Sequence, residues 1–444
     1  MTEADRVGAA VDANWEHEIE FLRGLVTRRS TLGDEALVQR FVAAELGALG
    51  LAVDTWEIDA ASLARLPGYG PVEWSFAGRP NVGARWSGAG GGRSLVLQGH
   101  IDVVPATPEH HWTRDPWGAE VAEGRMWGRG AADMKAGVAA MVYAIRALRD
   151  AGVRLRGDVS LVTVIEEECT GNGALSALAR GYTGDAAIIP EPFGDQALEA
   201  QVGVLWARIT VRGRGGHAER ASEVQNAIAK AARVIDAVGE LEAAANRAER
   251  HPAFEGEVHP LNYNVGIVRG GDWPSTVPEE CVLEVRLGTY PGEHLPDVQA
   301  RFRGELTERV RDDLWLAEHP PEVTFYAFQA DGFVIARDAP IMRTLAGAHH
   351  ELTGGELGFL SFTGTTDARF FNLFYNVPAT CYGPLGGNLH APDEWVDLES
   401  VRQVTKVLAA TALEWCGVAS PPLGSKLPGL APSEPAPSGG SGLR

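Results

Sequence analysis

The sequence predicts an α/β fold, a mixed and mostly parallel sheet flanked by helices, with an α+β domain inserted into it. Three observations predict this. Short apolar, β-branched runs end abruptly in histidines or carboxylates, as Ser160 to Ile165 does at Glu166-Glu167-Glu168. Such runs fit strands buried on both faces of a parallel sheet. Helical patterns alternate with these runs, and the chain of 444 residues is too long for one ordinary core, so two domains are the default.

Composition narrows the function classes. A formal charge of −20 argues against nucleic acid or an anionic membrane surface as the main partner, since both need clustered positive charge. Basic side chains are nearly all arginine; the lysines are Lys135, Lys230, Lys406 and Lys426, a composition bias rather than a function. Cys169, Cys281, Cys381 and Cys416 lie far apart without a CxxC pair, as expected of reduced cysteines in a cytoplasmic protein. The start, Met1-Thr-Glu-Ala-Asp-Arg, has no signal-like segment, and no run approaches a membrane span.

In chain order, Asn14 to Gly50 carries two helical patterns, Ile19, Leu22 and Val26 on one and Leu37, Phe41, Leu46 and Leu49 on the other. Leu51 to Ile58 reads as a strand. Ser94 to Pro105 is a second buried-type strand and delivers His100 and Asp102. In an extended chain these two share a face, so the Asp102 carboxylate can accept the far N–H of the imidazole and fix its metal-binding tautomer. A surface hydrogen bond is the commoner meaning of a lone H-x-D. Asp133 heads an amphipathic helix through Val138, Met141, Val142, Ile145 and Leu148, where an N-cap is the ordinary role of an aspartate.

Adjacent strand residues point to opposite faces, so Glu166, Glu167 and Glu168 cannot all reach one exposed surface from a strand. Beside a buried run they need a positive partner, which a metal would supply; a solvated acidic loop is the alternative. Asp185 to Pro190 is a further short strand, ending at Glu191. His390 lies in a Gly-rich loop after the strand-like stretch Asn376 to Tyr382. Together His100, Asp133, a carboxylate of the triple acid, Glu191 and His390 gather at strand ends or helix starts, where open sheets bind ligands. Two histidines and three carboxylates exceed the needs of one tetrahedral zinc and suit two metals sharing a carboxylate.

The stretches Gly99-His-Ile-Asp-Val-Val-Pro, Gly128-Arg-Gly-Ala-Ala-Asp-Met-Lys-Ala-Gly, Glu166-Glu-Glu-Cys-Thr-Gly-Asn-Gly, Pro190-Glu-Pro, Gly213-Arg-Gly-Gly-His-Ala, Gly364-Thr-Thr-Asp-Ala-Arg-Phe and Asn388-Leu-His-Ala-Pro-Asp-Glu occur in this order. They resemble motifs of the aminoacylase, acetylornithine deacetylase, succinyl-diaminopimelate desuccinylase and glutamate carboxypeptidase family of two-zinc hydrolases. The resemblance spans about Asn14 to Cys416. It implies Asp133 as the bridging ligand, His100 and Glu191 on one metal, and Glu168 and His390 on the other. Asp102 becomes the partner of His100 and Glu167 the general base, while Glu166 stands where the family usually has Asp. The implied cofactors are two divalent ions, zinc foremost, with cobalt or manganese as alternatives. The implied reaction is amide hydrolysis, in which Glu167 takes a proton from a metal-activated water and passes it to the departing amine.

The pattern divides the chain into residues 14–203 and 327–417 of a catalytic domain, an inserted domain at 204–326, and a Pro/Gly/Ser-rich tail at 418–444 expected to be disordered. In the insert, Val204 to Arg212, Asn262 to Ile267 and Cys281 to Leu287 read as strands. Ser222-Glu-Val-Gln225 reads as a capping box opening a helix through Ile228, Ala231, Ile235 and Val238. The resemblance makes this insert a lid and a homodimer interface, with His217 reaching a neighbouring subunit's site to stabilise the oxyanion; an exposed loop histidine is the plainer reading. It also points to Asn264, Thr365, Thr366 and Arg369 as substrate-binding residues, with a structural ion pair as the alternative for Arg369. Trp206 and Trp273 are candidates for an aromatic pocket wall, though a buried tryptophan in such a domain is more often core. Ser275 and Arg286 depart from the family pattern.

The implied substrate is a small N-acyl amino acid or related N-acyl amine. Two alternatives stay open at this stage, a dipeptidase or carboxypeptidase of the same family and a non-catalytic small-molecule binding protein on this fold.

Overall fold

The computed structural model describes residues 2–419. Its main sheet has six strands in the order Ala52–Glu57, Pro80–Trp86, Val159–Val164, Leu95–His100, Ala186–Ile189 and Ala379–Cys381. The last four are mutually parallel, whereas the first two pair antiparallel at one edge. Every residue of Leu95–His100 and of Val159–Val164 is buried, as expected for strands covered on both faces. Helices Gly137–Asp150 and Leu398–Cys416 pack on the Leu95–His100 strand, and the N-terminal helix Glu3–Val26 packs on both of them. Because the four strands run the same way, His100, Glu166 to Glu168, Glu191 and the loop from Tyr382 to His390 all emerge at one edge of the sheet.

A second sheet is antiparallel throughout, ordered Asn264–Gly270, Glu280–Thr289, Gly203–Arg212 and Glu322–Ala330. Helices Ala227–Arg247 and Leu295–Arg309 cover one face over an apolar cluster of its own, which includes Leu205, Ile209, Val234, Leu283 and Phe302. Alternation along Gly203–Arg212 sends Leu205, Ala207, Ile209 and Val211 to that cluster and Trp206 to the opposite face. There Trp206 packs with its ring centroid 5.2 Å from Phe328 and 5.9 Å from Tyr326, while Trp273 is exposed. The entering strand Gly203–Arg212 and the leaving strand Glu322–Ala330 are neighbours, so the segment closes on itself like an insertion.

Three local expectations need correction. Ser222 does not cap a helix: main-chain bonds in both directions between Arg214 and Gln225 hold residue 225 extended, and Asn226 caps Ala227–Arg247 by accepting from Ile228 N and Ala229 N. Asp133 is not an N-cap either. Its φ/ψ of −107°/99° interrupts the helical stretch Ala131–Ala136, and its carboxylate faces the sheet edge. The strand carrying His100 ends there, so the shared-face argument for Asp102 does not apply. Of the tail, residues 420–444 lie outside the described ones. Among the described residues no helix is long and apolar enough to cross a membrane.

Candidate metal centre

Asp133 stands between two histidines. Its Oδ1 is 3.1 Å from His100 Nε2, and its Oδ2 is 3.4 Å from His390 Nε2. Glu191 Oε1 lies 3.8 Å from the same nitrogen of His100, and Glu168 Oε2 lies 3.2 Å from that of His390. One ligand atom each from His100, Asp133 and Glu168 falls within 4.8 Å of the others. The structure thus brings all five sequence-derived ligand candidates together at this edge, around Asp133.

The far nitrogen of His100 is held differently from the expectation. His100 Nδ1 is 2.9 Å from the main-chain oxygen of Asp102, and the Asp102 carboxylate is 3.8 Å away. That carboxylate instead accepts from Glu167 N at 3.3 Å and Glu168 N at 3.0 Å. Asp102 therefore fixes the imidazole through its backbone and the acidic turn through its side chain.

The three acids go three ways because the chain turns at Glu166, which has a left-handed φ of 74°. Its main-chain oxygen accepts from Thr170 N and Gly171 N. Its side chain points into the protein, bonded by Arg79 at 2.5 Å, Trp74 Nε1 at 2.9 Å and Thr170 Oγ1 at 3.1 Å. Arg79 also binds Glu35. Glu168 turns to His390, and Glu167 is left buried, its Oε1 without a hydrogen-bond partner.

Charge in this pocket is crowded. Burial pushes Glu167 and Glu191 well above the ordinary carboxylate range and Asp102 up to about 8. Burial opposes charge on Asp133 too, but the hydrogen bonds from His100 and His390 win and lower it. Glu168 raises His390 to about 11, and His100 is raised despite its burial because Asp133, Glu191 and Glu167 surround it. A convergent set of imidazole nitrogens and carboxylate oxygens, with an unpartnered buried oxygen beside it, fits divalent cations.

The other candidates divide. Thr366 and Arg369 belong to the scaffold: Thr366 Oγ1 donates to Gln201, and Arg369, 1% exposed, donates to the main-chain oxygens of Thr366 at 2.9 Å and Thr170 at 2.8 Å. Arg369 Nη1 also lies 3.5 Å from Thr365 Oγ1, and no carboxylate among the described residues forms an ion pair with it. Thr365 Oγ1 accepts from Gln201 and stays half-buried. Asn264 is exposed and stands opposite Arg286, which donates to Thr363 O at 2.9 Å and so ties the second sheet to this loop. His217, its side chain 70% exposed, pairs with Glu219 of its own turn and not with the cluster. Sequence reasoning missed Arg79, Glu394 and Asp367. Asp367 is buried, accepts from Gln98 and keeps Oδ1 without a partner.

Residues 96–414 match peptidase family M20/M25/M40. Over 404 residues the chain is 26% identical to N-formyl-4-amino-5-aminomethyl-2-methylpyrimidine deformylase of Bacillus subtilis (strain 168), covering 85% of this chain and 89% of that one. It is 29% identical over 413 residues to succinyl-diaminopimelate desuccinylase of Leptothrix cholodnii, covering 88% and 97%. The fold matches human carnosine dipeptidase 1 with a TM-score of 0.75 at 15% identity, over 93% of this chain and 99% of that one. With a match over that much of its length, and with the site residues on the motifs that carry the resemblance, the chain belongs to peptidase family M20/M25/M40.

Proposed function

We propose that this protein is a dinuclear metal hydrolase that removes the acyl group from a small N-acyl amine or N-acyl amino acid. The observation that carries the reading is Asp133, whose two oxygens each face one histidine while Glu167 stands by with an unpartnered oxygen. In this reading His100 and Glu191 would hold one ion and Glu168 and His390 the other, with Asp133 shared between them. Zinc is the expected ion, with cobalt or manganese as alternatives. Bound there, the ions would polarise an amide carbonyl and acidify a water.

Glu167 does the proton work. Its carboxylate would take a proton from the attacking water and return it to the amine nitrogen as the C–N bond breaks, giving a carboxylic acid, which then ionises, and an amine. Asp102 holds the turn that aims Glu167, through the amides of Glu167 and Glu168. Half-buried Thr365 and exposed Asn264 are the candidates to contact substrate.

The deacylase reading over a dipeptidase draws support from the similarity to a deformylase and a desuccinylase along most of the chain. In the same reading the inserted unit, residues 204–326, is a lid that pairs with a second copy and brings His217 to the neighbour's site. The exposure of His217 supports this. Four buried free thiols support a cytoplasmic setting.

Amine release from a panel of N-formyl, N-acetyl and N-succinyl amines and of dipeptides tests the proposal. Turnover of N-acyl amines well above that of dipeptides is expected; selective cleavage of dipeptides would overturn the deacylase reading.

A further inference from the structure

The buried carboxylate of Glu394 has no role in the reading above, yet it holds two pieces of the metal centre at once. Its Oε1 accepts from Ala132 N at 3.0 Å and from Asp133 N at 3.1 Å. Its Oε2 accepts from Gly130 N at 3.0 Å and from Arg129 Nη1 at 2.6 Å. Without it the amides of Gly130, Ala132 and Asp133, all within one turn, would be left unpaired, and Asp133 has non-helical φ/ψ inside that helical stretch. A single carboxylate sets the backbone from which the central ligand hangs.

Glu394 also follows His390 by four residues. The loop between them needs holding, because Asn388, His390 and Asp393 all take left-handed φ values of 56–59°, which side chains with a Cβ disfavour. Arg129 Nη2 donates to Ala391 O at 3.2 Å, and Gly128 N donates to Glu394 O at 2.9 Å. The Arg129–Glu394 pair therefore clamps the Asp133 turn to the His390 loop. The loop has a second tie at Asp393, whose carboxylate accepts from Thr113 N, Thr113 Oγ1 and Arg114 N, while the His390 side chain is 54% exposed. His100, by contrast, ends one sheet strand and Glu191 lies two residues beyond another, and the clamp touches neither strand.

We propose that Glu394 is a positioning residue for the metal held by Asp133, Glu168 and His390, fixing the spacing of two ligands that come from separate loops. The inference rests on the dinuclear reading above. Outer partners of metal ligands typically change affinity by about 10–100-fold. An effect through Asp133 alone would reach both metals; the clamp on His390 makes it unequal.

The test is titration of metal-free protein with Co2+, followed by calorimetry and by cobalt visible absorption, in wild type, Glu394→Gln and Glu394→Asp. Two ions are expected to bind wild type. In Glu394→Gln the first should bind within about 3-fold of wild type and the second about 10–100-fold more weakly. Glu394→Asp keeps a charge opposite Arg129, so it keeps the fold if the glutamine variant loses it, and it should show the same unequal loss to a smaller degree.

A folded variant that binds both ions as wild type does, or that weakens both equally, overturns the proposal. So does failure of both variants to fold, which would make Glu394 general scaffold. Wild type binding fewer than two ions would instead sink the dinuclear reading, and this inference with it.

Discussion

Arg79 and Glu166 form a buried ion pair, 2.5 Å between Nη2 and Oε1, directly beside the residue proposed as the base. The same guanidinium binds Glu35, so one cation serves two acids that have no access to water. Buried pairs contribute little net stability against an apolar replacement, but removing one partner strands the other charge. Here the stranded group would be the first residue of the acidic turn.

Arg79→Met should therefore lower stability by about 3–5 kcal/mol in urea unfolding. Where the fold survives, kcat should drop more than about 10-fold with KM within about 3-fold, because the turn aims Glu167 rather than binding substrate. Unchanged kcat in folded protein would show that the turn holds its shape without Arg79.

Arg369 gives the opposite pattern. Its hydrogen bonds join Thr170 of the acidic turn to Thr366, and Gly171 leaves it room: a Cβ there would lie 2.2 Å from Arg369 Nη2. Arg369→Ala is expected to cost about 2–4 kcal/mol through lost packing and unpaired carbonyls. KM for a carboxylate-bearing substrate should match that for its neutral analogue in their response to the change. A selective rise in KM for the carboxylate substrate would restore the substrate-binding role.

Glu18 sets a pH dependence away from the site. It is buried between the N- and C-terminal helices, where Thr405 Oγ1 donates to one oxygen and the other has no partner, and burial pushes it up to about 8. The folded chain keeps this proton to about pH 8, while an unfolded glutamate releases it near about pH 4.3. Between those values the folded state binds more protons, so stability falls as pH rises, by about 1.4 kcal/mol per unit from this group. Glu18→Gln should flatten that slope and stabilise the chain more at about pH 8.5 than at about pH 6, read by urea unfolding at both. Parallel slopes in the two proteins would refute the assignment.

Much of the centre was legible because its signals are local. A buried apolar run that stops at His100, Glu166 or Glu191 shows both the strand and the ligand in a few residues. The roles of Arg79 and Glu394 were not legible, since their partners lie far along the chain: Arg79 meets Glu166 at a separation of 87 residues, and Glu394 meets Asp133 at 261. The strand Pro80–Trp86 was missed although its central residues are buried. At Ser222 a local pattern misled, because pairing between Arg214 and Gln225 decides where the helix begins. The side chain of Asp102 was assigned to His100 by strand alternation, which failed when the strand ended one residue after Gly99.

The central claim is that Glu167 moves the proton at a two-metal site it does not itself build. Elemental analysis of wild type and Glu167→Gln, paired with turnover of an N-acyl amine substrate, tests it most directly. The account predicts about two divalent ions per chain in both proteins, with turnover about 10²–10⁴-fold lower in the variant. Wild type that stays metal-free and inert after zinc or cobalt is supplied, or a variant that keeps full turnover, would contradict it.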